Sequence, residues 1–173
     1  MKIDIARQPL VPAFMTLFAL AVAAMCAGIP VSDTSGAVRD ALPLLGGQLA
    51  RFQAAYPVWS KFAAGFMLLF TGMCAGRITI RYNLYTVGTC LPIPLYAIVA
   101  CGIATGGNYL AGFAASMLLA LATKNYCRAF CNGYGFDAIF RASLYLGLMP
   151  LVYAPGLPML LLLPLVMGIS YEL

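Results

Sequence analysis

Long runs of apolar residues without a charged side chain constrain the fold of this chain most. The first covers residues 10–29, and comparable runs follow at residues 86–105 and 157–171. An α-helix rises about 1.5 Å per residue, so the first run spans a hydrocarbon core of roughly 30 Å. Such runs predict transmembrane α-helices, and we expect an all-α, polytopic transmembrane helical bundle.

The composition supports lipid as the solvent of this chain. Its 173 residues are 63% hydrophobic and 9% charged, whereas an ordinary soluble domain has about 25% charged residues. A soluble protein could not cover its surface with so few charges. The length favours a single integral membrane domain covering residues 1–173.

The apolar runs predict about six spans. They cover residues 10–29, 58–76, 86–105, 109–123, 138–153 and 157–171. A cleaved signal peptide competes with the first span, but its apolar run exceeds the usual length of a signal core. The last two spans are short, with a turn at Ala154, Pro155 and Gly156 between them. They form a final helical hairpin that either crosses the membrane or re-enters on one face.

Two prolines break the third span near its start. Pro92 and Pro94 each lack a backbone donor, so this helix starts late, kinks or unwinds there. The outer loop at residues 31–57 carries a second signal. Its apolar side chains recur at spacings of four, three and four, at Leu45, Leu49, Phe52 and Tyr56. This pattern predicts an amphipathic helix in the membrane interface, which Gly46 and Gly47 break or start.

The cations divide unequally between the two sides of the predicted bundle. Seven belong to one side: Lys2, Arg7, Arg77, Arg81, Lys124, Arg128 and Arg141. The last three of these lie in the loop expected after the fourth span. Three belong to the other: Arg39, Arg51 and Lys61. This asymmetry places the N-terminus in the cytoplasm. The net charge of +5 is spread between apolar runs rather than clustered on a polar domain, so we expect no nucleic-acid partner.

Several of these cations are candidates for binding an anionic lipid or a phosphate. Arg77 and Arg81 lie four residues apart, as do Lys124 and Arg128. Like charges at that spacing repel on a helix, and an anion between them would relieve the repulsion. Together with Arg141, and with Asn83 and Tyr85 beside the broken third span, they make up the candidate site. The alternative is that they only fix topology and touch ordinary headgroups.

The sequence offers no catalytic or metal-binding pattern. No predicted span has a central carboxylate, and no nucleotide-binding loop or hydrolase motif occurs. The six cysteines come without histidine, so Cys127 and Cys131 lack partners for a zinc site. We expect no metal and no cofactor, and whether the chain is an enzyme stays open, with the sequence leaning against it.

Small residues recur four apart in three places. They are Ala19, Ala23 and Ala27, then Gly72 and Gly76, then Gly112, Ser116 and Ala120. Such ridges let helix backbones approach closely. We expect packing within the bundle, with self-association as the alternative.

Two stretches resemble a family of uncharacterised multi-pass inner-membrane proteins of Gram-negative bacteria. The first combines Arg77, Arg81, Tyr82, Asn83 and Tyr85 with the Leu-Pro-Ile-Pro-Leu run at residues 91–95. The second combines residues 139–141 with the Leu-Gly-Leu-Met-Pro-Leu run at residues 146–151. The resemblance implies a bacterial inner (cytoplasmic) membrane location and a helical fold but no activity. It also implies a truncated chain, because members of that family are longer.

Three hypotheses of function follow. The first is a membrane-embedded subunit or assembly factor, whose partners are membrane lipids and either other subunits or a second copy. The second is binding or processing of a polyprenyl-phosphate-linked glycan or another anionic lipid. The third is a small-solute transporter, which the lack of intramembrane charge weakens.

Overall fold

The computed structural model describes residues 10–26, 43–82, 90, 92–104, 108–132 and 135–161. Every regular element among them is helical, which confirms the predicted all-α class. The α-helices are α1 (Leu10–Cys26), α2 (Leu44–Ala55), α3 (Pro57–Arg81), α4 (Pro92–Ala104), α5 (Tyr109–Asn132) and α6 (Phe136–Val152). A 3-10 helix (Ala154–Leu161) follows α6.

The long helix α3 lies at the centre of the bundle. It packs against α1, α4 and α5, while α6 packs against the other side of α5. Gly72 and Gly76 allow this close approach, since a Cβ at Gly72 would lie 2.7 Å from Leu17 and one at Gly76 would collide with Ile93. The predicted packing role of this glycine pair is therefore confirmed. Ala19 and Ala23 of α1 are instead exposed.

Helix α2 joins three other helices at one end of the bundle. A Cβ at Gly46 would collide with the carbonyl oxygen of Val152, so α2 lies directly against the end of α6. The Gln53 Oε1 atom accepts a hydrogen bond from the backbone N–H of Leu110 at 3.4 Å. That donor lies in the first turn of α5, where helical N–H groups lack partners within the helix. The starts of α3 and α5 and the end of α6 therefore meet under α2.

A helix at the position of the predicted amphipathic helix is confirmed as α2, and neither Gly46 nor Gly47 breaks it, while its placement in an outer loop at the membrane interface stays a prediction. Its buried face carries Gly46 and Gln53, whereas Leu45 and Phe52 are exposed. The apolar side chains that defined the pattern therefore point largely away from the bundle. That arrangement is typical of a helix whose apolar face meets the membrane interface.

A buried hydroxyl pair holds the starts of α3 and α5 together. The Ser60 and Tyr109 hydroxyl oxygens lie 2.6 Å apart, and the Ser60 hydroxyl lies 2.8 Å from the carbonyl oxygen of Pro57, to which it donates. Ser60→Ala leaves the Tyr109 hydroxyl buried without this partner, and we expect a loss of about 1–3 kcal/mol in unfolding free energy. Tyr109→Phe leaves Ser60 bonded to Pro57, so its loss should be smaller. Thermal unfolding in detergent measures both, and equal losses would contradict this account.

The distribution of large and small residues is inverted relative to a soluble domain. Nine of the ten phenylalanines are exposed, and only Phe113 is buried. Alanine dominates the buried positions, among them Ala97, Ala100 and Ala142 at 0% exposure. Soluble monomers rarely expose so much contiguous apolar surface, whereas small residues at helix interfaces are characteristic of membrane bundles.

Among the described helices, α3 alone is both long and apolar enough to cross a membrane. Helices α1, α4 and α6 have 17, 13 and 17 residues. At about 1.5 Å per residue each is shorter than a roughly 30 Å hydrocarbon core. The six-span arrangement therefore stays a prediction.

Helix α5 runs past the predicted end of its span. The residues after position 123 were expected to form a loop, and that expectation is wrong, because α5 continues to Asn132. Ala122, Tyr126 and Ala129 are buried at helical spacing, and Ala122 and Tyr126 belong to the cluster shared with Ala142 of α6. Packing against α6 therefore favours the helix over the loop that the polar residues indicated. Helix α3 likewise continues past residue 76 to Arg81.

The prolines of the third span mark the start of α4. Of the alternatives, a late start is confirmed, because α4 begins at Pro92. The first N–H groups of a helix have no partner within it, so prolines cost little in this turn. Most of the preceding residues, 83–89 and 91, lie outside the described part.

The segment after α6 differs from the predicted turn. Residues 154–156 were expected to form a turn, but they begin the 3-10 helix that ends at Leu161. The buried Gly156 lies against Met149 of α6, which holds this segment close to the helix before it. Residues 162–171 lie outside the described part, so the choice between crossing and re-entry stays a prediction.

Candidate functional site

A pocket lies between the C-terminal half of α3 and the middle of α5. Its volume is about 280 Å³. Eight residues line it: Phe70, Met73, Cys74, Arg77, Ile78, Arg81, Tyr82 and Lys124. Because α2 covers the opposite end of α3, this pocket lies at the bundle end away from α2.

The pocket brings together cations from two helices. Arg77 and Arg81 lie one turn apart on α3, and Lys124 of α5 lines the same pocket. The whole of α4 separates the two arginines from Lys124 in the sequence, so only the packing of α5 on α3 makes them neighbours. Arg77 and Arg81 are exposed and Lys124 is half-buried, which leaves all three accessible to an anion.

No carboxylate compensates these cations within the described residues. The one carboxylate described is Asp137 of α6, and it is occupied: its Oδ2 lies 2.9 Å from the Arg141 guanidinium, and its Oδ1 accepts a second hydrogen bond at 3.2 Å. In the part of the chain that the structure describes, Arg77, Arg81 and Lys124 therefore form a group of positive charges with no carboxylate lining the same pocket. Such a group of charges attracts phosphate groups.

The structure brings three of the seven predicted site residues into one pocket, and two others do not line it. Arg77, Arg81 and Lys124 share the pocket. Arg128 lies one turn beyond Lys124 on α5, is exposed and does not line it. Arg141 belongs to α6, is paired with Asp137 and does not line the pocket. Asn83 and Tyr85 lie outside the described residues.

The pocket wall is apolar on the side towards the middle of α3. Phe70 and Met73 supply this wall, and neither of them belonged to the predicted site. Their spacing in the sequence could have predicted this wall. Phe70 and Met73 lie seven and four residues before Arg77, so the three side chains share one face of a helix. A cationic rim above an apolar wall matches an amphiphile with a negative headgroup.

The apolar wall continues along α3 as an exposed stripe, formed by Trp59, Phe62, Phe66, Phe70 and Met73. We call this set the α3 stripe. Its members recur every three or four residues, and their exposed fractions run from 38% at Phe70 to 68% at Trp59 and Phe66. At its far end the stripe enters an open apolar groove of about 540 Å³, which Phe52 and Tyr56 also line.

Two cysteines lie near the end of α5, beyond the predicted fourth span. Cys127 is half-buried and Cys131 is exposed. Burial raises the pKa of the Cys127 thiol above its ordinary value, and the neighbouring Cys131 adds to the increase. Thiolate is the reactive form, so Cys127 should be alkylated several-fold more slowly than Cys131 at pH 8. Maleimide labelling of two single-cysteine variants measures the ratio, and equal rates would contradict the burial of Cys127.

The chain matches no protein-family model, no curated protein and no solved structure. The assignment of function therefore rests on the arrangement of its own residues.

Proposed function

We propose that the chain is a multi-pass protein of the bacterial inner membrane, with about six spans and a cytoplasmic N-terminus. The exposure of nine phenylalanines around an alanine-rich interior supports this proposal. So does the separation of charge, because Arg77, Arg81, Lys124, Arg128 and Arg141 lie away from the end that α2 covers. Positive charge of this kind is typical of the cytoplasmic side.

Two measurements test this placement. Carbonate washing should leave the chain in the membrane pellet, and release into the supernatant would overturn the proposal. A membrane-impermeant maleimide should label Cys131 only after spheroplasts are permeabilised, because that residue lies at the proposed cytoplasmic end. Labelling in intact spheroplasts would reverse the orientation.

We infer that the pocket between α3 and α5 binds an anionic lipid. The observation that carries this inference is the joining of Arg77, Arg81 and Lys124 over the apolar wall of Phe70 and Met73. The cations match a phosphate, and the apolar wall matches the first part of a hydrocarbon chain. A free inorganic anion would use only the cationic rim.

Native mass spectrometry of the purified chain tests lipid binding. The chain should retain anionic lipid adducts and lose zwitterionic ones at the same collision energy. Lys124→Gln should reduce the anionic adducts, while Arg141→Gln, which removes a cation already paired with Asp137, should leave them unchanged. Equal retention of both lipid classes would overturn the inference.

A membrane-embedded subunit or assembly factor is the second candidate function. The exposed ridge of Ala19 and Ala23 on α1 favours it, because small residues let a neighbouring helix approach closely. Blue-native electrophoresis in a mild detergent should then show a larger complex. Migration as a monomer alone would count against this candidate, and lipid binding would be unaffected.

A further inference from the structure

The pocket and the aromatic groove lie on the same face of one helix. From Trp59 through Phe62, Phe66, Phe70 and Met73 to Arg77, the spacings are three, four, four, three and four. These spacings keep all six side chains on one face of a helix with 3.6 residues per turn. The α3 stripe therefore leads from the cations of the pocket to the groove without interruption.

The length of this helix face determines how long a hydrocarbon chain of a bound lipid must be to cover it. Trp59 and Arg77 are 18 residues apart, which at about 1.5 Å per residue corresponds to roughly 27 Å along α3. One leaflet contributes about half of a roughly 30 Å hydrocarbon core. An acyl chain anchored at Arg77 would therefore end near Phe66, at the near edge of the groove, and would not extend along the groove to Trp59.

The far end of the stripe is shaped to receive a chain rather than a headgroup. The groove is lined by Phe52, Tyr56, Trp59, Phe62, Ala63 and Phe66. Aromatic rings make up its walls, with the centroids of Trp59 and Phe62 6.4 Å apart and those of Phe52 and Tyr56 5.6 Å apart. None of these lining residues is charged, so the groove complements hydrocarbon.

We propose that the ligand of the pocket is a polyprenyl phosphate, an anionic lipid whose single chain is longer than one leaflet. Its phosphate binds Arg77, Arg81 and Lys124, and its chain follows the α3 stripe to the groove. This proposal rests on the proposed binding of an anionic lipid. It adds that the hydrocarbon part of that lipid is a single long polyprenyl chain. A diacyl phospholipid would satisfy the cations but leave the groove beyond Phe66 to bulk lipid.

Trp59 is the single tryptophan of the chain, which makes the groove directly observable. Three probes are titrated into the purified protein in nanodiscs: farnesyl phosphate, undecaprenyl phosphate and phosphatidic acid. We expect all three to bind through the cations. Only undecaprenyl phosphate should shift the emission of Trp59, and it should bind about tenfold more tightly than farnesyl phosphate.

Two sets of variants distinguish binding of the lipid's hydrocarbon chain from binding of its phosphate headgroup. The double variant F62A/F66A should abolish the advantage of undecaprenyl phosphate and leave farnesyl phosphate binding unchanged. Phe140→Ala removes a phenylalanine of α6 that is also 60% exposed, and it should have no effect on either probe. The variant R77Q/R81Q should weaken all three probes alike, because each carries its negative charge on a phosphate.

The possible results separate this proposal from the one on which it rests. Binding of all probes with equal affinity and an unchanged Trp59 emission would overturn the long-chain proposal and retain anionic-lipid binding. The long-chain proposal also falls if phosphatidic acid matches undecaprenyl phosphate in both readouts, or if inorganic phosphate displaces every probe equally. Failure of every probe to bind would overturn both.

Discussion

The triple variant R77Q/R81Q/K124Q is expected to bind anionic lipid about 100-fold more weakly than the unaltered protein. A cation near a membrane surface contributes on the order of 1 kcal/mol to the attraction of an anionic headgroup. Three such contributions sum to about 3 kcal/mol, and each factor of ten in affinity corresponds to about 1.4 kcal/mol. Glutamine retains polar character and much of the side-chain length, so the loss reports charge.

Affinity is measured by titrating the chosen anionic lipid into detergent-solubilised protein and counting adducts by native mass spectrometry. Arg141→Gln is the matched control for each of the three substitutions, because it removes a cation of the same bundle end that Asp137 already pairs. Raising the salt concentration should weaken binding to the unaltered protein and have little effect on the triple variant. A triple variant that binds as tightly as the control would exclude the pocket as the lipid site.

Gly76→Leu is expected to destabilise the bundle by about 3 kcal/mol or more, which is the upper part of the range for overpacked cores. A Cβ at this position would already collide with Ile93, which is 1% exposed and has no free volume to enter. A leucine would force α4 away from α3. The wall of the pocket would also be disturbed, since Arg77 is the next residue of α3.

Gly147→Leu provides the matched control for this prediction. Gly147 is an exposed glycine of α6, and nothing lies within 4 Å of a Cβ placed there. The same replacement should be neutral or slightly stabilising, because glycine is the poorer helix former by about 0.8–1 kcal/mol. Thermal unfolding in detergent, followed by circular dichroism, compares the two variants. A Gly76→Leu protein as stable as the Gly147→Leu protein would contradict the close approach of α3 and α4.

Much of the fold could be predicted where the signal is local. The apolar spacing of residues 45–56 predicted α2, and the run at residues 138–153 predicted α6 almost to its ends. The end of α5 could not be predicted, because Lys124, Asn125 and Arg128 locally indicate a loop. What extends that helix is the packing of Tyr126 at the α5–α6 interface, which depends on a distant segment.

The candidate site shows the same division between local and distant information. Helical spacing already placed Arg77 beside Arg81 on α3. It could not tell that Lys124 would lie beside them, because the packing of α5 on α3 brings together residues that are distant in the sequence. The pairing of Arg141 with Asp137 was predictable in principle, since the two lie four residues apart on α6. The glycines just before Asp137 indicate a loop, and that signal obscured the pair.

The small side chains inside the bundle also determine how this chain can vary. Positions such as Ala97 and Ala142 have no room for a larger residue, while Phe66 and Phe140 touch mainly what surrounds the protein. In a deep mutational scan, exchange among phenylalanine, leucine and isoleucine should leave the level of folded protein unchanged at most exposed positions. Replacement of a buried alanine by a larger residue should lower that level. Tolerance would thus rise with side-chain size, the reverse of the trend in a water-soluble domain.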